Sequence, residues 1–596
     1  MASNALKDQA AFSGVNMEKN FDFDVVVVGS GASGMATAIT AKLLGLNVAV
    51  IEKSKKYGGT TARSGGWLWV PCTQLGKNYG HEDSPEAVKA YLKHEGGAAY
   101  NEARVDSFVH HCFDAVDFFT KKTAVQFDMP LTFPDYHAEA PGAMQGGRSM
   151  VTRPFDAREL GERLALLEPP LPELTVFGMM IGSGADLRHF MKATRSLESA
   201  IYTIKRFSTH FAECMKYGRG MLLTNGNALA GRLAKTALDL NIPVLVDTAA
   251  KELILENGKI AGLIAQSGDQ KIRLNASKAV VLAAGGFPHN VELRKRLYGH
   301  TPTGLEHWSP TTETNTGDSI AMTEKLNVAV DIDLPNAAAW APVSLVKRKD
   351  GTTGVMPHFI DRAKPGVIAV NKLGKRFVNE ANSYHDFVQG MMNGANIDGQ
   401  ITSWLICDRK TLRMYGLGSV PPQPLPIGKH LQSGYLKKGN TVVELAKNCG
   451  IDVKGLEETI KTFNPLAKIG QDPDFGKGSK AYNRYQGDPL HMPNPCLKPI
   501  EQGPFYAVQL HPGDIGTYAG LPVDRHSRVL DQSGKAVEGL YSVGNDATSI
   551  MGGNYPGAGI TLGPALVFGY QTGLFIATGK DNNPAAAPAA RRTAEV

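Results

Sequence analysis

An α/β fold is the expectation for this chain, and three observations carry it. Apolar strand-like runs alternate with helical patterns, a glycine-rich turn follows the first of them, and further glycine-rich turns recur far along the sequence. At 596 residues the chain exceeds the size to which one hydrophobic core usually grows. The motifs lie near opposite ends of the chain, which predicts one discontinuous nucleotide-binding domain with an α+β capping and catalytic domain inserted into it.

Residues 1–21 are polar and unpatterned, and residues 581–596 include an Ala/Pro-rich run, so both ends read as disordered tails. Strands are expected at 24–28, 48–51, 243–246, 253–255, 279–283 and 540–543. The nucleotide-binding domain is accordingly assigned to 22–334 and 501–580, and the capping domain to the less regular 335–500.

Composition excludes several classes. Hydrophobic residues at 42% and charged residues at 20% describe a globular chain able to bury a large core. The net charge of +6 is spread along the sequence without a basic arm, so no nucleic-acid role is assigned. Six scattered cysteines form no C-x-x-C pair, and neither a disulfide framework nor a metal site is expected. The first 20 residues lack the apolar core of a signal peptide and no apolar run is long enough to span a bilayer, which points to a cytoplasmic protein. The segment 169–181 is apolar and Pro-rich. It reads either as a buried loop or as an exposed one that touches the inner membrane face or guards a site for an oily substrate.

The first motif carries chemistry. A four-valine run leads into Gly29-Ser30-Gly31-Ala32-Ser33-Gly34, a helix with small residues comes next, and a second strand ends in Glu52-Lys53. A lone G-x-G-x-x-G is weak, but in this strand–turn–helix–strand context it is the Rossmann-type dinucleotide fingerprint. Gly29 makes the tight turn, Gly31 lets the backbone meet a pyrophosphate, Gly34 packs helix on strand, and the helix N-terminus receives the phosphate charge. Glu52 is expected at the adenosine ribose hydroxyls.

The sequence beyond Lys53 resembles the fumarate reductase and succinate dehydrogenase flavoprotein superfamily. The stretch Gly58-Gly59-Thr60-Thr61-Ala62-Arg63-Ser64-Gly65-Gly66 is similar to the loop that runs along pyrophosphate and isoalloxazine. The strand ending in Ala283-Ala284-Gly285-Gly286 and the segment Gly544-Asn545-Asp546 resemble later FAD motifs, the last with its acidic residue at the ribityl chain. The resemblance implies FAD bound by a Rossmann-type domain. Covalent members carry a His in the Gly-Thr-rich loop and residues 58–66 contain none, so noncovalent FAD is expected.

Within that superfamily the segment Asn554-Tyr555-Pro556-Gly557-Ala558-Gly559-Ile560-Thr561-Leu562 resembles the flavin-facing segment of 3-ketosteroid Δ1-dehydrogenases. The stretches around Tyr136, Arg148, Trp67-Leu68-Trp69 and Arg376 to Tyr384 resemble the same family. The resemblance implies desaturation of a cyclic ketone, with Tyr555 hydroxyl and Gly559 N–H donating to the carbonyl, Tyr384 taking the α proton with help from Tyr136, and flavin N5 accepting hydride. Gly559 and Leu562 would also touch the flavin. A free phenol titrates near ~10, so neighbours favouring ionised Tyr384 are expected, as is activity rising toward alkaline pH. Arg376 and Glu380 read as a structural ion pair, and His511 as structure or a contact near the flavin. Open alternatives are a Δ4-type steroid dehydrogenase, a dehydrogenase of a smaller cyclic ketone, an ene reductase and a non-catalytic flavin carrier. With no second fingerprint or iron–sulfur cysteine cluster, an external electron acceptor such as a quinone is implied.

Overall fold

The structure is a computed structural model that describes residues 19–581. The expected tails otherwise lie outside these residues, but 19–21 are no tail. They open strand β1 (Lys19–Val28) and pair with Ile272, Arg273 and Leu274.

The main sheet also contains β2 (Val48–Ile51), β3 (Val244–Leu245), β4 (Ala249–Glu256), β5 (Lys259–Ser267) and β6 (Gln270–Leu282). Strands β3, β2, β1 and β6 run parallel, whereas β4, β5 and β6 form an antiparallel meander. The valine run explains where β1 sits. Val25 and Val27 enter one apolar cluster and Val26 and Val28 another, so both faces are covered, as a continuous run of β-branched residues requires.

A second sheet is antiparallel and comprises β7 (Val367–Val370), β8 (Ser403–Asp408), β9 (Leu436–Gly439) and β10 (Phe505–Leu510) in the order β7-β8-β10-β9. Strand β10 belongs to this sheet, so the chain returns to the main sheet after Leu510 and not at 501. The return is made by β11 (Arg528–Leu530) and β12 (Ala536–Ser542), the latter parallel to the end of β6.

Five helices matter for the site: α1 (Ala32–Leu43), α2 (Pro85–Gly96), α3 (Leu197–Tyr217), α4 (Tyr384–Gly394) and α5 (Leu562–Thr578). Helix α5 lies against α1 at glycine-to-backbone distance, because a Cβ on Gly573 would stand 2.8 Å from the Thr37 carbonyl oxygen. The Pro-rich segment lines the cavity, as the expected loop guarding a site would. It forms a short hairpin, Thr175–Val176 with Met179–Met180, in which both methionines are buried while Phe177 at its tip is 61% exposed. Among the described residues no helix is long and apolar enough to cross a membrane.

Candidate active site and cofactor cradle

One cavity of about 1870 Å³ runs from the tip of β1 to the junction of the two sheets. That exceeds the ~300–1,000 Å³ typical of a single small-ligand pocket and leaves room for cofactor and substrate together. Its wall contains Gly29, Gly31, Ala32, Ser33, Glu52, Lys53, Gly59, Thr60, Thr61, Ser64, Gly65, Gly66, Ala284, Gly285, Gly544, Asn545, Gly559 and Leu562, and it also receives Tyr136, Tyr384 and Tyr555.

The fingerprint glycines divide by role. Gly29 has φ +108° and a Cβ there would meet the Ala283 oxygen at 2.2 Å; at Gly34 it would meet the Gly29 oxygen at 2.1 Å. Both are fixed by the chain's own packing. At Gly31 the nearest atom would be Thr61 Oγ1 at 3.6 Å, so its outer side is open to the cavity at the N-terminus of α1. This is the cradle a pyrophosphate requires. Thr61 supports it by accepting the Ala32 N–H at 2.9 Å.

Two expected cofactor contacts, Asp546 and Lys53, stand differently, and Gly34, grouped with the cofactor residues, serves only the helix-on-strand packing expected of it and does not reach the cavity. Asp546 is turned inward, where Oδ1 accepts the Gly286 N–H at 2.9 Å, Oδ2 accepts Ser319 Oγ at 2.6 Å, and the Ala284 N–H is bound as well. Its carboxylate pins the β6 turn, and Asn545 faces the cavity in its place. Lys53 reaches the wall, but its ammonium is held by Asp318 at 2.9 Å and Thr316 at 2.6 Å. Glu52 accepts from Ser30 Oγ at 2.6 Å and from the Ser54 N–H at 2.8 Å. The Ser30 N–H also donates to Oε2 at 3.1 Å, so the spare lone pair for a ribose hydroxyl is on Oε1. Burial pushes the Glu52 carboxyl up against these stabilising hydrogen bonds.

At the far end three tyrosines converge. Tyr136 stacks on Tyr555 at 5.6 Å between ring centroids, and Tyr384 meets Tyr555 edge-on at 4.7 Å. The hydroxyls of Tyr136 and Tyr384 are 3.3 Å apart. Tyr384 opens α4, where Ser383 caps the helix by accepting the Asp386 N–H. The loop of Tyr136 is fixed to that of Tyr555 by the Tyr136 N–H, which donates to the Pro556 oxygen at 2.8 Å. Beside Tyr136, Asp135 accepts from Trp69 Nε1 and from buried Arg148, each at 2.8 Å, and Arg148 also binds Asp83. These contacts account for the Trp67-Leu68-Trp69 and Arg148 stretches singled out in the sequence. Gly559 has φ +93°, and a Cβ there would strike the Trp67 carbonyl at 2.4 Å.

Protein neighbours do not favour ionised Tyr384, contrary to expectation. Burial drives its hydroxyl well above the usual phenol range, and nearby Tyr136 and Tyr555 push the same way. Two residues at this end carried no sequence signal. Tyr482 lies 4.3 Å from the Tyr136 ring, its hydroxyl pushed up to about 12 by burial despite the opposing Arg362 charge. Arg362, 1% exposed, donates to the carbonyls of His358 and Glu380 behind α4. His511 lies away from the cavity, with its ring 4.6 Å from Trp308. Arg376 and Glu380 pair at 2.8 Å, joined by Asp472 and Lys477.

A Rossmann-type sheet whose glycine turn opens on a two-ligand cavity defines an FAD-binding flavoprotein, and the family described as FAD binding domain matches residues 24–562. The chain belongs to that family and, within it, to the 3-ketosteroid Δ1-dehydrogenases, and FAD is its cofactor. It is 36% identical over 93% of its length, and 98% of the relative's, to a 3-oxosteroid 1-dehydrogenase of Mycobacterium tuberculosis. It is 40% identical to 4-oxocyclohex-2-ene-1-carboxylate 5-dehydrogenase of Sinomonas cyclohexanicum, over 94% of this chain and 95% of that one. The solved structure of 3-ketosteroid delta1-dehydrogenase from Sterolibacterium denitrificans, in complex with 1,4-androstadiene-3,17-dione, superposes with a TM-score of 0.86 at 35% identity, covering 94% of this chain and 100% of that chain.

Proposed function

We propose that the protein desaturates the carbon–carbon bond next to a cyclic ketone, most specifically C1–C2 of a 3-oxosteroid. The observation that carries this is the meeting of Tyr136, Tyr384 and Tyr555 with Gly559 on one cavity wall. A C–H bond beside a ketone is a weak acid, so the developing enolate oxygen must be stabilised as the proton leaves. Tyr555 hydroxyl and Gly559 N–H donate to that oxygen. Tyr384 takes the α proton with help from Tyr136, whose hydroxyl lies 3.3 Å from its own. FAD, held by the cradle described above, supplies the hydride acceptor at N5. The second sheet, whose strands lie between Val367 and Leu510, and its helices act as the cap that completes this wall.

A steroid suits the apolar side chains of the cavity wall, among them Phe133, Leu187, Met191 and Phe359. The second reading is a small cyclic ketone bearing a carboxylate. The Sinomonas relative favours it, as does Arg188 on the cavity wall, which makes no ion pair among the described residues. Anaerobic mixing of the holoenzyme with androst-4-ene-3,17-dione, following flavin absorbance and product, tests the first. Bleaching only with 4-oxocyclohex-2-ene-1-carboxylate would transfer the assignment to the second.

Reoxidation is assigned to an external acceptor, a quinone by family resemblance. Contact with the inner membrane face, assigned to the Pro-rich segment, extends from its exposed Phe177 to α3, whose outward residues Leu197, Ile201, Ile204, Phe211 and Met215 are 46–85% exposed. Phe177 packs beside Phe211 at 6.1 Å, and exposed Lys205 and Lys216 on the same helix suit an anionic bilayer surface.

A further inference from the structure

The residue after Tyr136 is His137, and both its ring nitrogens meet carboxylates. Nδ1 lies 2.8 Å from Glu95 Oε2, in the last turn of α2, and Nε2 lies 3.0 Å from Asp386 Oδ2, in the first turn of α4. A neutral imidazole can donate to only one acceptor, so only the doubly protonated ring satisfies both. Burial opposes its charge, but the hydrogen bonds of Asp386 and Glu95 outweigh that and hold the imidazole up at about 10.

What the ring connects gives it meaning. Asp386 lies two residues after Tyr384. Glu95 lies next to Gly96, which abuts Gly552 so closely that a Cβ on Gly552 would stand 2.3 Å from the Gly96 Cα, three residues before Tyr555. Tyr91, one turn earlier on α2, donates its hydroxyl to the Pro556 oxygen at 2.7 Å and accepts the His137 N–H at 3.3 Å. The segments carrying Tyr136, Tyr384 and Tyr555 therefore meet around one imidazole.

We propose that His137 is a positioning residue, whose doubly protonated ring latches Glu95 to Asp386 and so holds the three tyrosines in reactive register. The inference rests on the dehydrogenase reading above. Loss of a merely structural ion pair would lower stability and leave the chemistry of the folded enzyme unchanged. The groups facing the ring are Glu95 and Tyr91 from α2 and His385 and Asp386 from α4; Arg362 and Tyr518 feel the Asp386 charge from behind. His385 is held neutral by burial at about 4, so it does not replace the charge when His137 loses its proton.

The test is the single-turnover rate of flavin reduction by the ketone, measured anaerobically from pH 6 to 11, with ketone affinity and thermal melting recorded separately. Wild type climbs with pH and turns down near 10. In His137→Gln the rate falls about tenfold or more with ketone affinity nearly unchanged, and the downturn disappears. Asp386→Asn keeps the imidazole but removes one anion, so its downturn moves to lower pH. This second variant keeps the proposal exposed if the first does not fold. A folded, FAD-loaded His137→Gln enzyme with wild-type rate and downturn, or an Asp386→Asn downturn that does not move, overturns the latch. Wild type that bleaches with no cyclic ketone instead refutes the dehydrogenase reading and takes the latch with it.

Discussion

The hydroxyl oxygens of Tyr136 and Tyr384 lie 3.3 Å apart although 248 positions separate the two residues in the chain. One phenol alone in that buried position would hold its proton tightly. Paired, the second can donate a hydrogen bond to the first at the moment charge appears on it.

Removing the hydroxyls should therefore produce a graded loss. Tyr384→Phe is expected to lower the rate of flavin reduction ~10²–10⁴-fold, as for loss of a general base. Tyr555→Phe should cost ~10²–10³-fold, the scale of one lost donor to a developing oxyanion. Tyr136→Phe should cost only about tenfold, the worth of one hydrogen bond. Stopped-flow absorbance gives all three rates, and equal losses at the three positions would contradict the assigned roles.

Rate should rise with pH. The ionised form of Tyr384 is the active one and burial raises its pKa, so the active fraction grows with pH without levelling, and the rate climbs until His137 loses its proton near 10. A reduction rate that plateaus below pH 9 would exclude Tyr384 as the base.

Acid should spare the second sheet's polar centre. Glu380 is fully buried, and although burial opposes its charge, Arg376 and Lys477 hold the carboxyl down at about 2. A depressed folded pKa adds stability above the unfolded value of about 4.5 that is lost as pH falls toward 2. Glu380→Gln should destabilise by ~3–5 kcal/mol, because Arg376 and Lys477 stay buried with less compensation. Thermal or urea melts at pH 7 and pH 3 check this, and the difference between variant and wild type should shrink at the lower pH.

Two fingerprint glycines should fail in different ways. Gly31→Ala has room, its nearest atom 3.6 Å away, so the chain should fold and lose FAD affinity. Gly34→Ala meets the Gly29 oxygen at 2.1 Å and should unfold the first βαβ unit. Circular dichroism with bound-flavin content separates the outcomes.

Charging the outer face of α3 should release the enzyme from membranes. Ile201→Glu with Met215→Glu, both positions more than half exposed in the free protein, should abolish co-sedimentation with anionic vesicles and leave thermal stability unchanged. Co-sedimentation equal to wild type would exclude this face as the contact.

The nucleotide cradle was legible in the sequence because each glycine answers to a local backbone demand, and the valine run of β1 announced its own burial. Tyr136, Tyr384 and Tyr555 were found through motif resemblance. The resemblance also implied that they act together, which no local pattern could have shown, since none reports which distant loops share a wall. Asp546 and Lys53 stood in the expected places but spend their charges inside the fold, which only tertiary hydrogen bonds reveal. Glu95, His137 and Asp386 were missed for a related reason: their spacing of 42 and 249 positions matches no ligand or catalytic motif. The boundary expected at 501 falls before a strand of the second sheet, Phe505–Leu510, because a motif order says nothing about which sheet the chain joins between motifs.

Strand β12 enters the main sheet from the last tenth of the chain, and Tyr555 comes after it. A polypeptide emerging from the ribosome can fold its glycine turn early, yet it has neither the final parallel neighbour of β6 nor the donor for the ketone oxygen until Ala536 to Tyr555 have been made. Folding of the first strands thus runs well ahead of chemical competence, and a chain halted before Ala536 should be catalytically silent.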